Sequence, residues 1–99
     1  MKLEEINQRM HVIVKGIVQG VGFRFFVLAH GKNLNLRGWV RNRANGDVEV
    51  EAEGPRSQLE DLLQKLKTGP DSAMVVDTNV NWDTYKGNLP PFTVLPTAN

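Results

Sequence analysis

Residues 38–54, GWVRNRANGDVEVEAEG, read as two strands folded back on each other. Asn45-Gly46 is the strongest short hairpin signal in the chain, because both residues accept the positive φ of a type I′ turn. Beyond the turn, Val48, Val50 and Ala52 alternate with Asp47, Glu49, Glu51 and Glu53. A strict period of two marks a strand with one dry and one wet face. Before it, Leu36 to Arg41, centred on Trp39, supplies the partner strand. The acids of residues 47–53 read as a solvated face, so helices are expected to cover the other side.

Working outward from the hairpin gives the remaining elements. Met10 to Lys15 predicts a strand with Val12 and Val14 on one face and His11, Ile13 and Lys15 on the other. GIVQGVGFR, residues 16–24, holds three glycines in its first seven residues and cannot continue that strand. A helix is expected over Phe23 to Leu34, with Phe23, Phe26, Val27 and Leu34 near one face. Gly31 costs that helix about 1 kcal/mol relative to alanine, and Asn35 is the expected left-handed stop. On the other side of the hairpin, Gly54-Pro55 opens a second helix, and Leu59, Leu62, Leu63 and Leu66 form its apolar stripe. Gly69-Pro70 ends it. Val76, Thr78, Val80 and Trp82 alternate with Asp77, Asn79 and Asn81 in a fourth strand. Phe92 to Leu95 follows Pro90-Pro91 as a short edge strand. The order β-α-β-β-α-β predicts an α+β ferredoxin-like sandwich, an antiparallel sheet with two helices on one face and a short extra C-terminal strand.

At 99 residues the chain fits one domain, expected over residues 10–95 between a flexible tail at 1–9 and a short tail at 96–99. Cysteine is absent, which excludes disulfides, thiolate metal sites and cysteine nucleophiles. MKLEEINQRM lacks the apolar core of a signal peptide, and no apolar run reaches the roughly 18 residues of a membrane span. A cytoplasmic protein with no membrane partner is the expectation. Charge is split along the chain. Residues 1–46 carry eight Lys/Arg and two acids, and residues 47–99 carry four Lys/Arg and nine acids. An anionic ligand would therefore meet the first half, unless folding simply mixes the two sets. The split does not choose between a phosphate ester and a nucleic-acid backbone.

The segment from Gly16 to Arg24 joins a strand to a helix N-terminus through glycines. Unpaired N–H groups converge at such a junction, the helix dipole adds partial positive charge, and glycines let a ligand approach the backbone. Arg24 stands in the first helical turn, where the dipole disfavours a cation unless an anion lies between. The same residues equally suit a plain turn with a surface ion pair. Neither a P-loop nor a dinucleotide fingerprint is present. Asn42, at the end of the second strand, offers a donor and an acceptor without charge, though asparagine beside a turn commonly serves the turn. His11 and His30 lack a carboxylate at metal-ligand spacing, and Ser57 and Ser72 lack a nucleophile signature.

Two stretches carry a resemblance. GIVQGVGFR resembles the first acylphosphatase signature through Gly16, Val18, Gln19, Gly20, Val21, Phe23 and Arg24. The hairpin stretch resembles the second through Gly38, Trp39, Val40, Asn42, Gly46, Val48 and Gly54. A weaker likeness runs from about Met10 through Val94. The resemblance implies hydrolysis of acyl phosphates to carboxylate and inorganic phosphate, with no metal, no cofactor and no covalent intermediate. By the same likeness, the backbone of Gln19, Gly20, Val21, Gly22 and Phe23 would cradle the phosphoryl oxygens. Arg24 would bind the same group, and Asn42 would orient the attacking water. The implied partners are a small acyl phosphate and inorganic phosphate, the latter as product and inhibitor, and the chain is expected to act as a monomer.

A nucleic-acid-binding sheet on this fold needs aromatic residues on the open face of its central strands, where the third strand presents Glu and Asp. No nucleic-acid partner is therefore expected. A regulatory or carbamoyl-phosphate-handling module, as in larger proteins with an acylphosphatase-like domain, is the other alternative. Departures from the family lie outside the signatures: Asn35 and Gly31 in the first helix, the C-terminal PFTVLPTAN, and the apolar Phe25, Val27 and Leu28, which are expected to loosen that helix or leave an apolar patch.

Overall fold

The computed structural model describes residues 6–99. Its elements are β1 (Asn7–Ile17), α1 (Phe23–Asn33), β2 (Arg37–Asn42), β3 (Val48–Pro55), α2 (Arg56–Thr68), β4 (Met74–Thr84) and β5 (Thr93–Val94). The sheet order is β4-β1-β3-β2-β5. The alternating apolar residues of β1 and β3 share one face of the sheet. Met10, Val12 and Val14 of β1 lie beside Ala52, Val50 and Val48 of β3, and all six are fully buried. Both helices cover that face. Leu59, Leu62 and Leu66 of α2 are also fully buried, each worth about 1.5–3 kcal/mol of removal from water. The expected α+β ferredoxin-like sandwich is the observed one.

Several boundaries and faces differ from expectation. β1 begins at Asn7, so residues 7–9 belong to the sheet, where Asn7 pairs with Pro55 and Arg9 with Glu53; before them Ile6 O accepts from Arg56 N–H at 2.9 Å, and residues 1–5 of the expected tail lie outside the described residues. The sheet is antiparallel except at its edge, where β5 pairs with β2 in parallel, Trp39 opposite Thr93. A bulge in the β1–β4 ladder between Lys15 and Gly16 shifts the alternation of β4. Val76, expected on the dry side, is 73% exposed, and Val75 packs against the core in its place.

Asn35 is the left-handed stop after α1, with φ 56°. Gly31 is buried because the ring of Phe92 lies over it. A Cβ there would fall 2.6–2.8 Å from three ring atoms. Of the three apolar residues expected to form a patch on α1, Val27 is buried, Leu28 packs against the core and only Phe25 stands exposed.

The turn is not type I′. Asn45 keeps an ordinary negative φ, and only Gly46 is left-handed, at 99°. Gly46 N–H donates to Arg43 O and Arg43 N–H to Asp47 O, a type I turn followed by a left-handed glycine in a three-residue loop. Asn45 takes this form because its Oδ1 accepts from Asp47 N–H at 3.1 Å, a local bond open to short amide side chains.

The face without helices is not a bare acidic surface either. Glu49 and Glu53 are 7% and 2% exposed. Residues 86–90 are fastened to the sheet at Glu53, which accepts from Lys86 N–H at 2.6 Å and Gly87 N–H at 3.1 Å, and at Arg37, which donates to Leu89 O. Arg9 donates to Glu51 and to Glu53. Glu49 accepts from Arg41 at 2.7 Å and Arg43 at 3.0 Å and meets His11 Nε2 at 2.7 Å. Cations therefore pair with the acids that an isolated strand would present to water.

Candidate functional site

The loop between β1 and α1 is anchored at both ends by buried side chains, Val18 and Phe23, each 1% exposed. Between them Gly20 and Gly22 adopt left-handed φ of 73° and 80°. Val21 separates them with ordinary φ, since Asn35 is the only described non-glycine residue at positive φ. Alternating handedness turns successive N–H groups toward one side, the arrangement that makes an anion nest. A Cβ added at Gly20 or Gly22 would meet nothing within 4 Å, so these glycines serve the backbone shape and leave the front of the loop open. α1 starts on Gly22 with no side-chain cap and no acid in its first turn. Its first N–H groups and the positive end of its dipole thus face the same opening.

Arg24 sits in that first turn, half-buried. The other five arginines all have partners: Arg9 with Glu51 and Glu53, Arg37 with Leu89 O, Arg41 and Arg43 with Glu49, and Arg56 with Glu60 and Gln8. Among the described residues Arg24 has none. The charge split along the sequence resolves the same way. Lys15 joins Asp47 at 2.9 Å, and Arg9, Arg41 and Arg43 join the acids of β3. Cross-strand pairing absorbs much of the first half's positive charge and leaves Arg24 over.

Glu49 is central to that neutralisation. Burial by itself would push its carboxyl up, but the hydrogen bonds from His11, Arg41 and Arg43 outweigh burial and hold it at about 2. Arg41 and Arg43 are therefore tied up one residue either side of Asn42.

Asn42 closes β2 opposite Val48, which in turn lies opposite Val14. Paired residues share a face, so the Asn42 amide points to the helix-covered side together with two core valines. The residue is 9% exposed, and its Oδ1 is buried with no hydrogen-bond partner among the described residues. A free buried amide oxygen of this kind costs stability, and Asn42 is the sole described residue with such an atom.

The loop and the strand end are joined through Gln19. Its Nε2 donates to Arg43 O and to Asp47 O, both at 2.8 Å. Gln19 entered the sequence reading only through its main chain, and nothing in the sequence pointed to this use of its side chain. Also unforeseen is the role of residues 96–99. Leu95 N–H donates to Val40 O, Ala98 N–H to Asn42 O at 2.9 Å, and Ala44 N–H to Ala98 O at 2.8 Å. These residues run as an extra ribbon beside Asn42 rather than as a tail, because the open edge of β2 offers carbonyls and N–H groups that need partners. No apolar alternation in PTAN signals it.

The site thus combines the main-chain N–H groups of a glycine loop and a helix start with a guanidinium and a neutral amide oxygen that have no partner among the described residues. Among the described residues no group of three or more His, Asp or Glu is placed to hold a metal ion, and no helix is long and apolar enough to cross a membrane. Fold and site together define a ferredoxin-like domain whose glycine loop leads from a strand into an uncapped helix start beside Arg24.

Comparison with known proteins gives the family. The acylphosphatase family model matches residues 10–94. An acylphosphatase of Anaeromyxobacter sp. (strain Fw109-5) is 48% identical over 86 residues, 87% of this chain and 92% of that protein. The crystal structure of acylphosphatase from Bacillus subtilis superposes with a TM-score of 0.86 at 36% identity, covering 89% of this chain and 98% of that one. A similar domain makes up part of HypF, with a TM-score of 0.84 and 28% identity over 94% of this chain but 12% of that one. The chain belongs to the acylphosphatase family, hydrolases that act on small acyl phosphates.

Proposed function

We propose that the chain cleaves the carboxyl–phosphate bond of acyl phosphates by in-line attack of water on a phosphoryl group held by Arg24 and the loop amides. The single observation that carries this reading is Arg24, the arginine left without a partner among the described residues, standing at an open loop of main-chain donors. A phosphoryl group offers three equatorial oxygens. The N–H groups from Gln19 to Phe23 take them on one side, and the planar fork of Arg24 donates to two at once. The leaving group is a carboxylate, which departs without an acid to protonate it. Phosphoryl transfer of this kind needs positioning and charge stabilisation more than proton transfer.

The water's place is assigned to Asn42. Its Oδ1 accepts one O–H of the water and turns an oxygen lone pair toward phosphorus, opposite the departing carboxylate. Asn42 takes no proton. The water's oxygen bonds to phosphorus, the P–O bond to the acyl group breaks, and the proton passes to a phosphate oxygen or to solvent, giving carboxylate and inorganic phosphate. The free product has the same oxygens for the loop and Arg24 to grip, so phosphate competes with substrate. Every group used comes from one chain, consistent with action as a monomer, and no step calls for a metal or cofactor.

The test is hydrolysis of acetyl and benzoyl phosphate after EDTA treatment by the parent chain, Arg24→Ala and Asn42→Ala. Arg24→Ala is expected to abolish turnover and inhibition by inorganic phosphate together. Asn42→Ala is expected to keep phosphate inhibition and to lose on the order of 3 kcal/mol of transition-state stabilisation, about a hundredfold in kcat. Retained activity with unchanged phosphate inhibition in Arg24→Ala would refute the assignment. An Asn42→Ala turnover within a few-fold of the parent removes Asn42 from the mechanism.

A further inference from the structure

We infer that the side chain of Gln19 is a positioning residue that sets the spacing between the phosphoryl-binding loop and the water held by Asn42; this rests on the roles proposed above for the loop and for Asn42. Gln19 directly precedes Gly20, the first left-handed residue of the loop, and its amide reaches the backbone directly after Asn42. Both Nε2 hydrogens are committed, to Arg43 O and Asp47 O at 2.8 Å each. Two donors on two carbonyls fix the amide's orientation, because its oxygen could not replace the nitrogen there.

The two carbonyls are those that close the hairpin turn. Arg43 O also accepts from Gly46 N–H at 3.1 Å, and Asp47 O from Arg43 N–H at 2.9 Å. Each oxygen has two lone pairs, and Gln19 takes the second on each. The turn therefore keeps its own bonds if Gln19 is lost, and what disappears is the strut from the turn to the loop. Residues 44–46, between the two carbonyls, are exposed, and besides the β2–β3 ladder the backbone bond from Ala44 N–H to Ala98 O is their tie to the rest of the sheet. Without the strut, the loop with Arg24 and the strand end with Asn42 are each intact but are positioned relative to one another only through the sheet and the flexible Lys15–Asp47 ion pair at 2.9 Å. In-line attack is sensitive to that separation, since misplacement by about 1 Å costs as much as a hundredfold.

The experiment is a double-mutant cycle on kcat with benzoyl phosphate, using Gln19→Met, which keeps length and volume but donates nothing, and Gln19→Leu should the methionine variant fold poorly. Asn42→Ala and the two double variants complete it, with the inhibition constant of inorganic phosphate measured for each. Gln19→Met is expected to lower kcat by roughly tenfold or more while phosphate inhibition moves less than about twofold. In the Asn42→Ala background the same change is expected to alter kcat by less than about twofold, because no positioned water is left to misplace. Equal losses in both backgrounds overturn the inference alone. So does weakened phosphate inhibition with kcat unchanged, which makes Gln19 a ligand of the phosphate, or a lowered Tm with kcat unchanged, which makes it a structural tie only. An unimpaired Asn42→Ala removes the water's assigned holder and takes the inference with it.

Discussion

Glu49 ties the stability of this fold to acid in a way that can be measured on one residue. The residue is 7% exposed and its carboxylate sits among His11, Arg41 and Arg43. These neighbours hold it at about 2 against an ordinary value of 4.5. A difference of that size is worth about 3 kcal/mol at 1.36 kcal/mol per unit. The folded value is the lower one, so this stabilisation is fully present above pH 4.5 and is lost as pH falls toward about 2. Glu49→Gln keeps the size and one acceptor oxygen but removes the charge, as protonation does. Urea denaturation of the two proteins at pH steps from 7 to 2 is the assay. The variant is expected to be less stable by about 3 kcal/mol at pH 7, with the difference shrinking below pH 4.5 until the two curves meet near pH 2. Two parallel curves, equally separated at pH 7 and pH 2, would show that the cost is one of packing and that the charge cluster contributes nothing.

Gly31→Ala places a methyl within 2.6–2.8 Å of the Phe92 ring, and overpacking of about 1–3 kcal/mol outweighs the roughly 1 kcal/mol gained in helix propensity. It is expected to destabilise the parent and to stabilise a Phe92→Ala background; a gain in Tm in the parent itself would sink this account of the glycine. Leu62→Ala empties a fully buried position in the α2 stripe and is expected to cost about 3–5 kcal/mol, lowering Tm by more than about 10 °C. Calorimetry showing a shift under about 5 °C would mean that the helix is not the main cover of the sheet.

How much of this was legible depends on the range of the interaction. The leucine stripe of α2, the dry face of β3 carrying Val48, Val50 and Ala52, and the stop at Asn35 rest on neighbours within a few residues, and all three stand in the structure as read. The hairpin was placed correctly but its turn type was not. The competition between Gly46, which must be left-handed, and Asn45, which prefers its own bond to Asp47 N–H, is settled by side-chain geometry that a dipeptide preference averages over. Gly31 looked like a weakness in α1 until Phe92, 61 positions along the chain, was seen to need the space. The acids of β3 looked solvated because a strand's sequence does not show which side chains stand on the strands beside it. Register puts Arg41 opposite Glu49 on one side of β3 and His11 opposite Glu51 on the other, a diagonal step from Glu49, and both side chains reach Glu49.

By itself the amino-acid sequence determined the order of elements, the buried stripes of β1, β3 and α2, and the presence of a glycine loop leading into a helix with an arginine at its start. Periodicity and turn preference are local, so one chain displays them without being folded. Only the tertiary structure decided which charges remain uncommitted, where the Asn42 amide points, and that Gln19 and Ala98 fasten the strand end beside it. Those depend on strands brought together from distant parts of the chain, and a carbonyl or carboxylate acquires its partner only when the sheet has formed.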